Sequence, residues 1–199
     1  DRFTKWEPSA KVADYLHRFQ TMRKAEISAA KADLLQVADK DTDVLIAQKL
    51  EAAQSKNKVA LLEVISARRA VDHFAVVAKQ TSSGDAAVKD AAYNALPNVS
   101  SANNVSELLK MLSASENDKE LKAIQSAIIS ALDKNAVPLI NAAYPAQKVK
   151  LLPVVPYLND NGALEKVTSA FYQGSEKEKQ VAFDALKNWQ DSGAIGGVD

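Results

Sequence analysis

The chain has 199 residues, of which 47% are apolar and 25% charged, with 25 Lys plus Arg against 25 Asp plus Glu. That length and composition describe a folded domain or one elongated array. They exclude a membrane helix, because no segment approaches the roughly 18 unbroken apolar residues one needs. Residues 1–80 carry 14 basic and 11 acidic groups and the remainder 25 − 14 = 11 and 25 − 11 = 14, so no basic lobe awaits a phosphate backbone and nucleic acid is not the expected partner. Without a cysteine, the chain has no disulfide, thiolate zinc site or thiol nucleophile. Two histidines, His17 and His73, are too few for most histidine-rich metal sites, so no metal or cofactor is expected.

The opening DRFTKWEPSA has neither an initiator Met nor the basic start and apolar core of a signal peptide, and reads as part of a longer protein. Ser9–Gln20 and Met22–Asp39 are helical in pattern but off the beat kept by the rest of the chain. Residues 1–40 are therefore expected to form an N-terminal cap or a degenerate repeat. Asp39, Asp41 and Asp43 resemble the start of a calcium loop but lack its glycine and distant glutamate, so a capping and turn role is expected. Asp43–Ser55 is predicted to be the first helix of the pair completed by Lys58–Ala67.

From Lys58 onward one phrase returns. KVALLEVISARR (Lys58–Arg69) is echoed by KVKLLPVVPYLN (Lys148–Asn159), and related phrases start at Lys89, Lys122 and Lys179, at spacings of 31, 33, 26 and 31. After each phrase comes an apolar i, i+3 pair, namely Phe74/Val77, Val105/Leu108, Val137/Ile140, Leu164/Val167 and Ile195/Val198, stepping by 31, 32, 27 and 31. Two independent markers on one beat of 20 to 50 residues indicate a repeat architecture. The spacing Leu61, Val64, Ile65, Arg68 is helical, so each repeat reads as two helices.

Ser82-Ser83-Gly84, Asn117-Asp118, Asp160-Asn161-Gly162 and Asp191-Ser192-Gly193 mark the turns, and Ser175 with Glu178 forms a capping box ahead of Lys179. Small residues on the second helices (Ala91, Ala92, Ala95; Ala123, Ala127; Ala182, Ala185) allow close stacking. Pro153 and Pro156 are expected to disturb the fourth. The terminal GAIGGVD aligns with the connector 31 residues earlier and reads as the start of a further helix.

The expected fold is all-α, an α-α superhelix of about five two-helix repeats over residues 43–199, the last one truncated, behind the N-terminal capping helices, in a single domain. The run VALLEVISARRAVDHFAVVAKQTSSGDAAVKDAAYNALPNV resembles two consecutive HEAT-type repeats. FDALKNWQDSGA is similar to the ending of HEAT-like arrays in large bacterial proteins, some of which precede domains of the 3-keto-disaccharide hydrolase type. That resemblance implies a solenoid and a parent protein of carbohydrate metabolism, periplasmic or secreted, with a cytoplasmic location as the alternative.

Several constellations invite a chemical reading. Lys58, Lys89, Lys122, Lys148 and Lys179 would stand near the starts of successive inner helices, as a groove for an anionic segment or as a solvated edge. Nearby Asp85, Asp90, Glu120 and Glu178 neutralise the row and favour the edge. Asp72 and His73 are adjacent, about 100° apart on a helix, and so do not face one another as a catalytic dyad. Trp189 occupies the position of Leu158 one repeat on, which points to packing, and Trp6 has no partner motif. GAIGGVD lacks the Lys-Ser/Thr of a phosphate loop.

The expected function is that of a non-catalytic interaction or spacer module. Its partners would be other domains of the same chain or another protein, held by variable inner-helix positions such as Glu63, Asn94 and Asp184 beside the five lysines. A nucleic-acid-binding repeat protein and an all-α enzyme with a concave-face site are the alternatives.

Overall fold

The computed structural model describes Val12, Leu16, residues 24–37 and residues 40–191. Trp6, His17, Asp39 and the pair Ile195/Val198 lie outside them, as does GAIGGVD. Eleven α-helices are described: α1 (Lys24–Gln36), α2 (Lys40–Ala52), α3 (Ser55–Ala67), α4 (Phe74–Gln80), α5 (Ala86–Val99), α6 (Val105–Ala114), α7 (Asp118–Ser130), α8 (Ala136–Ala143), α9 (Lys148–Leu151), α10 (Ala163–Gln173) and α11 (Glu176–Asp191). No strand occurs among the described residues, so the expected all-α class is the observed one. From α2 on, the helices fall into five pairs, α2/α3 to α10/α11. The predicted helix Asp43–Ser55 begins three residues earlier than expected and gives up Ser55 to α3.

The chain divides into two compact units, Asp1–Val99 and Ser100–Asp199. In the first, α3 packs on α1, α2 and α5, while α4 packs on α2 and α5. Second helices thus stack on second helices and first on first. In the second unit α6 packs on α7 and α8, α9 on α7 and α11, and α10 on α11.

One buried register runs through the second helices: Leu61, Ala92, Ile124, Leu151 and Ala182 are each no more than 1% exposed, at steps of 31, 32, 27 and 31. Three residues on, Val64, Ala95, Ala127, Val154 and Ala185 are buried in turn. Burying a leucine or isoleucine at such a site contributes about 2 kcal/mol, so the repeat is held by its core and not by helix propensity.

The first helices need a correction. Phe74/Val77 and Val105/Leu108 are buried as expected, but Val137 is half-buried and Leu164 is 52% exposed. There the buried pairs are Ala136/Ile140 and Ala163/Val167. In α-helical geometry i and i+4 lie closer in angle than i and i+3, and the alanine that completes the stripe is outweighed in sequence by its bulkier neighbour.

Helix ends follow local chemistry. Asn117 caps α7 by accepting from the amides of Lys119 (3.0 Å) and Glu120 (3.2 Å). The capping box at α11 is formed: Ser175 N–H donates to Glu178 Oε2 at 2.7 Å, and Glu178 N–H to Ser175 Oγ at 3.3 Å. Just before it, Gly174 is required by close approach, because a Cβ there would sit 2.3 Å from the carbonyl oxygen of Ala170.

Candidate functional site

The lysines occupy a definable place relative to the core. Lys58, Lys89, Lys148 and Lys179 each lie three residues before the buried register of their helix; Lys122 lies two before Ile124, and Leu121 takes the lysine position. One residue is about 100° of rotation, so Lys122 leaves the row that the other four share by register.

Lys58 Nζ donates to Gln80 Oε1 at 3.1 Å, Lys179 Nζ to Glu176 Oε1 at 3.0 Å, and Lys148 stands close enough to Glu178 to help hold its carboxyl low. Two hollows of the second unit, of about 330 and 370 Å³, share Lys148 and Glu178 on their walls. Charges of both signs line each of them.

Glu63, Asn94 and Asp184 also share a register, two residues after the buried position, and all three are exposed. Ser126 and Pro153 fill that register in the other two repeats. Glu63 forms an ion pair with Lys31 of α1, and Asp184 accepts from Gln180 Nε2 at 3.4 Å. Asp72 is exposed and His73 half-buried, in the single 3-10 turn Val71–His73 that leads into α4. Trp189 is half-buried where Leu158 is buried.

Among the described residues the carboxylic acids with displaced titration are all displaced downward, each by a nearby partner. Asp85 is held low by the Ser55 hydroxyl and then by the Val88 amide, and Glu116 by Lys150. Asp160 is held low by the Gly162 amide, then by Asn141 and Lys166, and Glu178 by the backbone and hydroxyl of Ser175. Tyr144 is raised, by burial and then by Glu178. These carboxylates cap helices and pair with lysines at separate places, and no group of three metal-ligating side chains occurs among the described residues.

Three features are not visible in the sequence. Arg68, there only the weakest member of an apolar stripe, has a side chain 9% exposed: its Nε donates to Asp43 Oδ1 at 2.5 Å, and its Nη1 to the carbonyls of Leu34 (2.7 Å) and Val37 (2.6 Å). It thereby closes the C-terminal end of α1, where orphan carbonyls need donors, and ties that end to α2. Asp43 is an ion-pair partner as well as a first-turn acid.

The second is Asp160, a hub that receives Gly162 N–H at 3.1 Å, Asn141 Nδ2 at 2.9 Å and Lys166 Nζ at 3.4 Å, joining α8 to the head of α10. The third is an aromatic edge on α10 and α11. Phe171 meets Tyr172 edge-on at 5.1 Å and stacks with Phe183 at 6.5 Å, while Leu164, Tyr172 and Phe183 are 52%, 76% and 54% exposed. By register Phe183 corresponds to Leu62 and Leu152, both fully buried. The sequence signal is a large apolar residue beside the stripe, visible only once the stripe is fixed.

Five helix pairs on a common buried register define a helical-repeat protein. No protein-family model matches the chain, and no curated protein matches it either. Among solved structures it is similar to a designed armadillo repeat protein in complex with the peptide (KR)4, at 13% identity and a TM-score of 0.47, covering 90% of this chain and 99% of that one. No described helix is long and apolar enough to cross a membrane.

Proposed function

We propose that this chain is a non-catalytic interaction or spacer module of the HEAT-like kind, holding another domain of the same polypeptide or a separate protein through the exposed faces of its second helices. The observation that supports this is the contrast between two registers. The buried one holds only Leu, Ala or Ile, while the position two residues later reads Glu63, Asn94, Ser126, Pro153 and Asp184. A constant core beneath a changing face is how a repeat array writes specificity without altering its stacking. Solvated, capped acids at scattered places favour this reading over acid–base chemistry.

The resemblance of FDALKNWQDSGA to arrays linked to sugar-active domains supports a bacterial parent protein of carbohydrate metabolism, periplasmic or secreted, whose chemistry lies in another domain. The test is site-specific photo-crosslinking in the native full-length protein, from positions 63, 94 and 184 and from control positions Glu107 and Glu165 on first helices. Crosslinks from the first set to one defined protein or domain are expected. Equal yields from the controls, or crosslinks to nucleic acid, overturn the reading.

A further inference from the structure

Asn161-Gly162 is the one Asn-Gly pair in the chain. An asparagine side chain is attacked by the backbone nitrogen of the residue that follows it, and a following Cβ hinders the approach; glycine has none. Every other asparagine is followed by a residue with a side chain, and several are also engaged: Asn117 caps α7, Asn141 donates to Asp160, and Asn98 donates to Ser66. Asn161 is exposed, lies in the turn before α10 and makes no hydrogen bond with its side chain to described residues. It lines an open groove of about 640 Å³ with Asp133, Asn141, Tyr157 and Asp160, so water reaches it.

We propose that Asn161 is a self-modifying position, converting through a cyclic imide with Gly162 into aspartate and isoaspartate, and that the conversion loosens the Asp160 hub. In the first step the Gly162 nitrogen gives up its proton and forms a bond to Cγ of Asn161. The Cγ–Nδ2 bond breaks, and Nδ2 leaves as ammonia. Asp160 Oδ1 accepts that N–H at 3.1 Å and holds it in place, and hydroxide from solvent takes the proton as water. Water then opens the imide at either carbonyl, so one water is consumed, one ammonia is released and no oxidant is needed.

Opening toward isoaspartate inserts a methylene into the backbone between positions 161 and 162. That carries the Gly162 N–H away from Asp160, whose other oxygen holds Asn141 of α8 and Lys166 of α10. Either product adds a negative charge beside Asp133 and Asp160. Nothing in the fold requires the glycine: its φ is −86°, and a Cβ would meet the flexible end of Lys166 at 3.1 Å and the Asp160 carboxylate at an ordinary contact distance of 3.9 Å.

The test incubates the full chain at neutral and mildly alkaline pH, with peptide mass mapping and enzymatic methylation of isoaspartate as readouts. Conversion is expected at 161 before any other asparagine, faster at the higher pH, and about tenfold slower in Gly162→Ala, which should melt with the wild type. Should that variant unfold, Asn161→Gln replaces it, since its longer side chain disfavours the five-membered ring. Amide protection in α8 and α10 is expected to fall in the isoaspartate fraction. A folded chain that keeps Asn161 intact while its urea-unfolded form converts would overturn the proposal. So would a Gly162→Ala chain that converts at the wild-type rate, or a converted fraction with unchanged α8 and α10 protection.

Discussion

Lys58–Arg69 and Lys148–Asn159 carry the same apolar phrase on different backbones. The first runs along the unbroken 13-residue helix α3 and ends just past it at Arg68 and Arg69; the second starts as the four-residue helix α9, passes through turns and ends just past the 3-10 turn Val155–Tyr157. Pro153 and Pro156 account for the break, since each lacks an N–H and disfavours helical geometry in the residue before it. Yet burial matches position by position: Leu61 with Leu151, Leu62 with Leu152, Val64 with Val154 and Ile65 with Val155, none more than 1% exposed.

Even the exit is shared, because Arg69 at φ 52° and Asn159 at φ 49° both take left-handed backbone at the same register. At Arg69 this is a Schellman close, with Ala70 N–H reaching the Ile65 carbonyl at 3.2 Å and Arg69 N–H the Ser66 carbonyl at 3.0 Å. Packing register thus survives loss of the helix that first displayed it. The one large difference lies at the last core position, where Arg68 stands at the C-cap of α3 and Leu158 in the broken phrase.

That difference gives the largest expected effect. Arg68→Met removes the guanidinium that faces Asp43 and two carbonyls, leaving a mostly buried carboxylate unpaired. Urea unfolding of the first unit should show a loss of about 3 kcal/mol. A loss below about 1 kcal/mol would place the pair among weak surface bridges.

Leu61→Ala and Leu151→Ala should each cost about 3 kcal/mol, and alike to within about 1 kcal/mol, if the broken phrase packs as tightly as the whole one. A markedly cheaper Leu151→Ala would show that the proline-broken segment collapses around the cavity and is held more loosely.

Acid should separate the units. Asp85 in the first and Glu116, Asp160 and Glu178 in the second titrate below their ordinary values of 3.8 and 4.5. Their stabilisation is present above those values and is lost as pH falls through the lower folded ones. Amide protection of the second unit should therefore decline at a higher pH than that of the first. Coincident decline would mean the extra carboxylates contribute little.

The smallest effect is at the shared exit. Arg69→Gly should stabilise the chain by about 0.5 kcal/mol, and Asn159→Gly by less, since asparagine tolerates left-handed backbone. Thermal melts of the two variants order them, and a destabilised Arg69→Gly would show that the arginine side chain contributes where it lies.

Much of the fold is legible because burial at a fixed interval leaves a periodic trace. Leu61 and Leu151 announce each other across 90 residues. In sequence the first-helix stripe falls one residue off at Val137 and Leu164, because alanine is a weak hydrophobic signal although Ala136 and Ala163 are the buried members. The lysine row is legible as a spacing, but its slip at Lys122 needs the core register as a ruler. Arg68 is illegible as a clamp, since its partners Asp43, Leu34 and Val37 lie 25 to 34 residues away and two of them are backbone carbonyls. A carbonyl has no letter in a sequence.

What the sequence by itself determined is the all-α class, the two-helix repeat with its beat near 31, the capping box at Ser175 and the break at Pro153. Each is set by contacts within a turn or by a period that burial imposes on side chains. Tertiary structure decided which face of each first helix is buried, that Arg68 closes α1 onto α2, that Asp160 joins α8 to α10, and that Phe183 stands exposed where Leu62 and Leu152 are covered. Those depend on what a neighbouring element places against a residue, and the free energy of a group turns on its surroundings as much as on its own chemistry.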